Sequence, residues 1–228
     1  MTAIWAHRGG WGPTRENTLE AFAAARRLGA AGVELDVRCT ADGVLVVHHD
    51  PVLDDGRVLA ATPAADLPAW LPTLEDALEA CQGLTVNVEV KSLPTEPGWD
   101  PDEPVATATA RLVAALGRAA TVWVSAFALP AVDAARAAAD VATGWLTLPG
   151  YDQADALDLA ARHGHRALHP PHGVVTPELV AAAHARGLAV HAWTADDPAD
   201  VARLAAAGAN AVITNDVAAA LAALAPPH

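Results

Sequence analysis

Two histidines, one arginine and two carboxylates stand close together near the start of a chain that carries few charges. They lie in His7-Arg8-Gly9-Gly10, in Glu34-Leu35-Asp36-Val37 and in His49-Asp50, the last reached through an Asp42-Gly43 turn. Histidine trades protons near neutral pH. Arginine grips phosphate oxygens through a planar fork of donors. Paired carboxylates hold a hard divalent cation. The combination suits cleavage of a phosphodiester. Farther along, Asn87-Val88-Glu89-Val90-Lys91 adds a third carboxylate and another cation.

Spacing gives these residue types a geometry. Glu34 and Asp36 are two apart on a strand, so their side chains leave the same face while Val33, Leu35 and Val37 turn outward. Two carboxylates facing one cavity repel each other unless a cation or a proton intervenes. Glu89, near the end of the next barrel strand, would complete a three-carboxylate set, and oxygen-only ligation favours Mg²⁺ or Ca²⁺ over zinc. The competing reading pairs Glu34 or Asp36 with an arginine such as Arg8 and needs no metal. Arg8 and Lys91 are assigned to phosphate, one as a bidentate fork and the other as a mobile point charge.

His7 and His49 form the candidate acid–base pair, one taking a proton from the attacking oxygen and the other protonating the departing alkoxide. A lone histidine at a strand end is more often a hydrogen-bonded structural residue. Two of them beside Arg8 and a carboxylate cluster reverse that preference. His48 is chemically equivalent to His49, but on an extended strand the two face opposite ways, so only one reaches the site.

The elements that must position these groups are legible in the alternation of short apolar runs with alanine-rich stretches. Strands are predicted over residues 3–6, 32–37, 85–90, 121–125, 142–146, 167–169, 189–194 and 211–213. Helices are predicted over 18–28, 73–81, 104–116, 130–139, 152–162, 177–186, 198–207 and 217–224. Thr73, Thr176 and the Asp196-Asp197-Pro198 sequence supply helix starts, and Gly29, Gly83, Gly117, Gly164, Gly187 and Gly208 supply stops. Strict strand–helix alternation implies parallel strands, and eight units close a (β/α)8 TIM barrel, an α/β fold. An open doubly wound sheet is the alternative, but no GxGxxG or GxxxxGKS sequence supports it. A short segment inserted after the second strand, roughly 43–71, breaks the rhythm, with a β run over 44–49 and a Pro-, Asp- and Ala-rich remainder expected to wrap the barrel mouth. Active sites of such barrels lie on the loops after the strands. No second domain or internal repeat is visible, so 1–228 reads as one domain.

Composition sets outer limits. A hydrophobic fraction of 53% is ample for a core, and a formal net charge of −13 argues against nucleic acid or an anionic membrane as partner. A phosphodiester is itself anionic, so a bound cation with Arg8 and Lys91 would have to reverse the field locally. Cys39 and Cys81 lack metal-type spacing and read as reduced, mostly buried thiols. No run reaches the ~18 apolar residues of a membrane span. No basic region followed by a long apolar one precedes the first strand, and the expected location is the cytoplasm.

In order and spacing, His7-Arg8-Gly9-Gly10, Glu16-Asn17-Thr18, Glu34-Leu35-Asp36, His49-Asp50, Glu89, Lys91 and Trp193-Thr194 resemble the glycerophosphodiester phosphodiesterase family in its short bacterial form. The resemblance implies metal-dependent hydrolysis of small glycerophosphodiesters to sn-glycerol 3-phosphate and an alcohol. It implies His7 and His49 as acid–base catalysts, Glu34, Asp36 and Glu89 as ligands of Mg²⁺ or Ca²⁺, and Arg8, Lys91 and Trp193 as substrate contacts. Glu16, Asn17 and Asp50 stand behind those groups, and the family's His-Asp pattern selects His49 over His48. Water and the glycerol 2-hydroxyl are both candidate nucleophiles.

Three departures bear on the substrate's alcohol. Leu53 is followed by Asp54-Asp55-Gly56-Arg57 where the family usually has Arg-Thr-Thr, the insertion is short, and the last strand ends Thr214-Asn215-Asp216 in place of Thr-Asp-x-Pro. A lysophospholipase D-type enzyme is the alternative reading, although no long apolar lid is evident. A barrel that only binds phosphorylated ligands would predict erosion of His7 or His49, and both are present.

Overall fold

The computed structural model describes residues 1–10 and 12–225; Trp11 and residues 226–228, which the single-domain reading includes, lie outside the described residues. Among the described residues nine strands run β1 (Ala3–His7), β2 (Gly32–Cys39), β3 (Leu45–Val47), β4 (Thr85–Val90), β5 (Val122–Ala126), β6 (Ala142–Leu146), β7 (Ala167–His169), β8 (Ala189–Ala192) and β9 (Ala211–Thr214). Eight of them are parallel in the order β1-β9-β8-β7-β6-β5-β4-β2, and β1 also pairs with β2, which closes the barrel. β3 lies antiparallel on β2 at the top, outside the closed ring.

The described residues form eight α-helices around the barrel: α1 (Leu19–Leu28), α2 (Leu74–Ala80), α3 (Pro104–Ala115), α4 (Leu129–Ala138), α5 (Gln153–His163), α6 (Pro177–Ala185), α7 (Pro198–Ala206) and α8 (Val217–Ala223). Their limits follow local chemistry. The Thr18 hydroxyl accepts the Ala21 N–H at the start of α1, and left-handed Gly29 ends it. Asp152 caps α5 through the Ala154 and Asp155 N–H groups, and Gly164 terminates it in the same left-handed conformation. Thr73, Thr176, Asp197 and Asp216 cap α2, α6, α7 and α8 likewise.

Alternation along β2 shows how the strands divide their faces. Val33, Leu35 and Val37 are fully buried in the main core between barrel and helices, whereas Glu34 and Asp36 turn into the barrel. Burying each of those apolar side chains is worth about 1.5–3 kcal/mol. Register then sets the inward row: His7 lies opposite Glu34, Glu34 opposite Asn87, and Asp36 opposite Glu89.

Most strand limits that differ from the sequence reading do so by one or two residues, as where β2 runs on to Cys39 and β9 to Thr214; the two that fall short, β8 and β3, have local causes. β8 stops at Ala192, short of the 194 expected, because β7 continues into Pro170 and Pro171, which have no N–H to donate. A single bridge, Pro171 with Trp193, survives beyond that point. β3 spans three residues, and His48 and His49 follow it in a bend ahead of Pro51. The rest of the inserted segment forms two 3₁₀ turns, Leu59–Ala61 and Ala64–Asp66, on a small core of Val46, Leu53, Leu59 and Leu71.

Candidate active site at the barrel mouth

Just past β1 the chain turns sharply, with positive φ at Arg8 (53°), Gly9 (93°) and Gly10 (84°). A Cβ on Gly9 would meet the Ala21 Cβ at 2.6 Å, so α1 packs against this turn only if the position is glycine. For Arg8 the left-handed conformation costs roughly 1–2 kcal/mol. The turn aims the Arg8 N–H at Glu34, whose carbonyl oxygen lies at 2.9 Å and Oε2 at 3.1 Å. The guanidinium reaches Asp36 Oδ2 at 3.1 Å and Glu16 Oε1 at 3.0 Å.

Asn17, also left-handed, donates from Nδ2 to Asp36 Oδ2 at 2.8 Å, and its Oδ1 accepts the Asp36 N–H at 3.4 Å. Asn17 therefore fixes the rotamer of Asp36, while exposed Glu16 steadies Arg8. Lys91 lies 2.9 Å from Asp36 Oδ1 and also binds Glu89. Both cations expected to face phosphate are thus held among the carboxylates.

Glu34, Asp36 and Glu89 are all buried, and each offers one oxygen within 4.8 Å of the others. Glu34 Oε1 has no hydrogen-bond partner among the described residues. A buried, unpartnered carboxylate oxygen in an all-oxygen cluster fits a hard divalent cation. The electrostatics agree. Burial first, then the charges of Asp36 and Glu89, push the Glu34 carboxyl well above its ordinary range. Burial raises Glu89 too, against the pull of Lys91. Asp36 goes the other way: burial is outweighed by Lys91 and Arg8, which bring it down to about 2.

The two histidines share a design. His7 Nδ1 lies 2.7 Å from Asn215 Oδ1, and its Nε2 lies 3.8 Å from Glu34 Oε2. Asn215 Nδ2 donates to Asp196 Oδ2 at 2.9 Å, so its Oδ1 must be the atom facing His7. His7 Nδ1 then carries the proton, and Nε2 holds a lone pair toward the site. His49 Nδ1 lies 2.6 Å from Asp50 Oδ1, leaving Nε2 for exchange. Burial lowers the pKa of both imidazoles; hydrogen bonding to Asn215 opposes it at His7, and Lys91 reinforces it at His49.

His49 lines a cavity of about 150 Å³ with Glu89, Lys91, Leu93, Glu96 and Phe127. His48 instead lies 6.0 Å from the Trp70 ring, outside that cavity's lining. Trp193 meets Phe127 edge-on at 5.5 Å and anchors its indole N–H on the His169 carbonyl at 2.8 Å, so it stands at the rim, one side chain removed from this cavity. A second cavity of about 390 Å³, lined in part by Arg38, Leu59, Glu96 and Trp99, also reaches Lys91.

Asn215 and Asp196 were not among the residues singled out from the sequence. Asp196 reads there as part of a helix start, and Asp197 does cap α7, but Asp196 turns inward to bind Asn215 and Thr214. The available signal was Asn215 itself, one of the positions departing from the family pattern.

A closed parallel barrel with two oriented imidazoles and a cation-bridged carboxylate cluster at its mouth defines a hydrolase of the TIM-barrel class. A model of the glycerophosphoryl diester phosphodiesterase family matches residues 7–219, and the chain belongs to that family. The glycerophosphodiester phosphodiesterase of Caldanaerobacter subterraneus subsp. tengcongensis is 31% identical over 240 residues, covering 94% of each protein. The crystal structure of a glycerophosphodiester phosphodiesterase from Parabacteroides distasonis superposes with a TM-score of 0.80 at 25% identity, over 94% of this chain and 92% of that one. An Oleispira antarctica phosphodiesterase, solved with its product sn-glycerol-3-phosphate, shares the fold with a TM-score of 0.82 at 24% identity, over 98% and 97% of the two chains. The chain is accordingly an enzyme, a phosphoric diester hydrolase.

Proposed function

We propose that this enzyme splits small glycerophosphodiesters into sn-glycerol 3-phosphate and an alcohol, with His7 and His49 as the acid–base pair. The observation that carries the reading is the pairing of His7 and His49 each through Nδ1, beside the buried carboxylates and Lys91. Glu34, Asp36 and Glu89 would hold Mg²⁺ or Ca²⁺, which when bound supplies charge to polarise the phosphate and acidify a hydroxyl. Arg8 and Lys91 bind and orient the phosphate oxygens, and Trp193 with Phe127 forms an apolar wall at the rim.

One histidine removes the proton of the attacking hydroxyl as its oxygen bonds to phosphorus: water gives sn-glycerol 3-phosphate directly, whereas the glycerol 2-hydroxyl gives a cyclic phosphate first, which water then opens to sn-glycerol 3-phosphate. The other delivers a proton to the departing alcohol oxygen as the P–O bond breaks. His7 suits the base: its partner Asn215 is a neutral amide, and its Nε2 is a lone pair. His49 is assigned as the acid: Asp50 Oδ1 holds its Nδ1 and, with Asp36, opposes the lowering of its pKa by burial and Lys91, while Nε2 is left to deliver a proton. Asn17, Glu16 and Asp50 orient the groups in front of them.

The whole of 1–228 is read as one domain with its insertion over about 43–71. The free thiols of Cys39 and Cys81, the latter pushed up to about 12 by burial, support a cytoplasmic location. Among the described residues no helix is long and apolar enough to cross a membrane. The strongly acidic chain fits no nucleic-acid partner.

The test is direct. Purified protein is incubated with glycerophosphocholine, glycerophosphoethanolamine or a lysophospholipid, with Mg²⁺, Ca²⁺ or EDTA. Glycerol 3-phosphate should appear from the first two and disappear with EDTA; release from the lysophospholipid alone, or activity indifferent to EDTA, would overturn the proposal.

A further inference from the structure

Away from the mouth, a different set of ligands converges on the outside of the barrel. Asp133 lies on α4, His163 is the last residue of α5, and His165 follows the Gly164 turn that leads into β7. The three offer one ligand atom each within 4.8 Å of one another. His163 Nδ1 is 2.9 Å from Asp133 Oδ2 and 3.0 Å from Oδ1. The two imidazoles stack, with centroids 6.1 Å apart and planes 23° from parallel.

His165 is the informative member. Its side chain is fully buried, and its Nε2 lies 3.3 Å from Asp133 Oδ1 without hydrogen-bonding geometry, one of the buried nitrogens with no partner among the described residues. The other ring nitrogen, Nδ1, meets Thr143 Oγ1 on β6 at 3.0 Å. That arrangement is the one metal-ligating histidines adopt: one nitrogen tied to an outer hydroxyl or carbonyl, the other aimed at the ion. Asp133 and His163 are each more than a third exposed, so the cluster has an open side.

We propose that Asp133, His163 and His165 form a binding site for a borderline transition ion of the zinc class. Two imidazoles and one carboxylate suit Zn²⁺ and its neighbours, whereas the all-oxygen mouth suits Mg²⁺ or Ca²⁺, so ligand chemistry separates the two sites. Burial lowers the pKa of His165, against Asp133, which keeps its nitrogen neutral and available near pH 7. The nearby cation, Arg136, donates from Nε to the Gly164 carbonyl at 3.0 Å and is thereby held on the turn. The fourth position is left to water. An ion here would tie α4 to the α5–β7 turn. The turn precedes β7, at the end of the barrel opposite the mouth, so the ion takes no part in hydrolysis.

The experiment titrates the full chain with ZnCl₂ in excess Mg²⁺, following heat and the ¹⁵N-labelled histidine ring signals. One equivalent of zinc should bind, shift the rings of His163 and His165, and raise the Tm. H163A and D133N alter partly exposed side chains and should weaken this binding by at least ~100-fold, more than the 10–100-fold expected for losing an outer partner in T143V. Glu34→Gln should leave it unchanged, as should hydrolysis be unchanged in H163A. The proposal fails if no saturable binding occurs, if H163A and D133N bind zinc as the wild type does, or if only the His7 and His49 signals move.

Discussion

The barrel interior holds two buried polar layers that solve the same problem in opposite ways. At the mouth, Asp36 keeps its charge because Arg8 and Lys91 lie within hydrogen-bonding distance, whereas burial pushes its neighbours Glu34 and Glu89 up. One layer down, His169 and His191 face each other at 2.9 Å between Nε2 and Nδ1, with Trp5 and Trp123 against the His191 ring. No carboxylate contributes there, so burial alone brings His169 down to about 3 and, with His169 beside it, drives His191 well below its ordinary value. Gly144 makes room for this pair, since a Cβ there would stand 2.3 Å from His169 Nε2. Equal burial gives charged groups where partners exist and neutral ones where they do not. The charged layer can do chemistry; the neutral layer supports it.

The largest expected effect lies in the charged layer. Glu34→Gln or Asp36→Asn should abolish calorimetric Mg²⁺ and Ca²⁺ binding and lower kcat/KM by about 10³–10⁴-fold, the worth of several kcal/mol of transition-state charge stabilisation. In EDTA the same Glu34→Gln change should raise the Tm, because it removes a desolvated carboxyl repelled by Asp36 and Glu89. A variant that keeps both metal affinity and activity would break the contrast between the layers.

Next in size is the proton delivery. His49→Ala should lose roughly 10²–10⁴-fold on glycerophosphocholine, while His48→Ala, packed near Trp70, chiefly lowers stability. On a p-nitrophenyl diester, whose leaving group needs no proton, His49→Ala should recover and His7→Ala should not. Recovery of His7→Ala alone reverses the acid and base.

Asn215 gives a smaller effect with a sharper signature. Asn215→Leu should cost about 10–100-fold by releasing the His7 ring. Asn215→Asp, placing a negative charge on Nδ1, should raise the His7 pKa and move the acidic limb of the kcat/KM profile to higher pH. A loss of activity with no shift of that limb would reduce Asn215 to a structural role.

The smallest effect is a stability slope, and its sign differs between layers. A histidine depressed in the folded state is protonated first in the unfolded chain, so its stabilisation is full above about pH 6.5 and is lost as pH falls toward the folded value. Carboxyls raised in the folded state, as at Glu34 and Glu89, do the opposite without metal, adding stability as pH falls through their raised values. His191→Gln should therefore flatten the loss between about pH 6 and pH 5 by at most about 1.4 kcal/mol per unit, read by urea midpoints. An unchanged slope would mean that the pair is not neutral.

Much of this was legible in sequence because its physics is local. The two-residue spacing of Glu34 and Asp36 fixes a shared face on any strand, and Thr73, Thr176, Gly29 and Gly164 cap helices through groups three or four residues away. Strict alternation of strand and helix then leaves few folds besides a closed barrel. Strand ends were less legible, since the truncation of β8 depends on prolines in its neighbour.

What only the tertiary structure decided are relations across the ring. That Lys91 sits on Asp36, that Asn215 rather than a carboxylate orients His7, and that His165 meets Asp133 of α4 all join residues 32 to 208 positions apart. The sequence determined which groups share a face, because backbone periodicity acts over a few residues. Which charges end up within 3 Å of each other, and hence which stay ionised, was decided by closure of the barrel, because Coulomb and desolvation energies depend on distance in space and not along the chain.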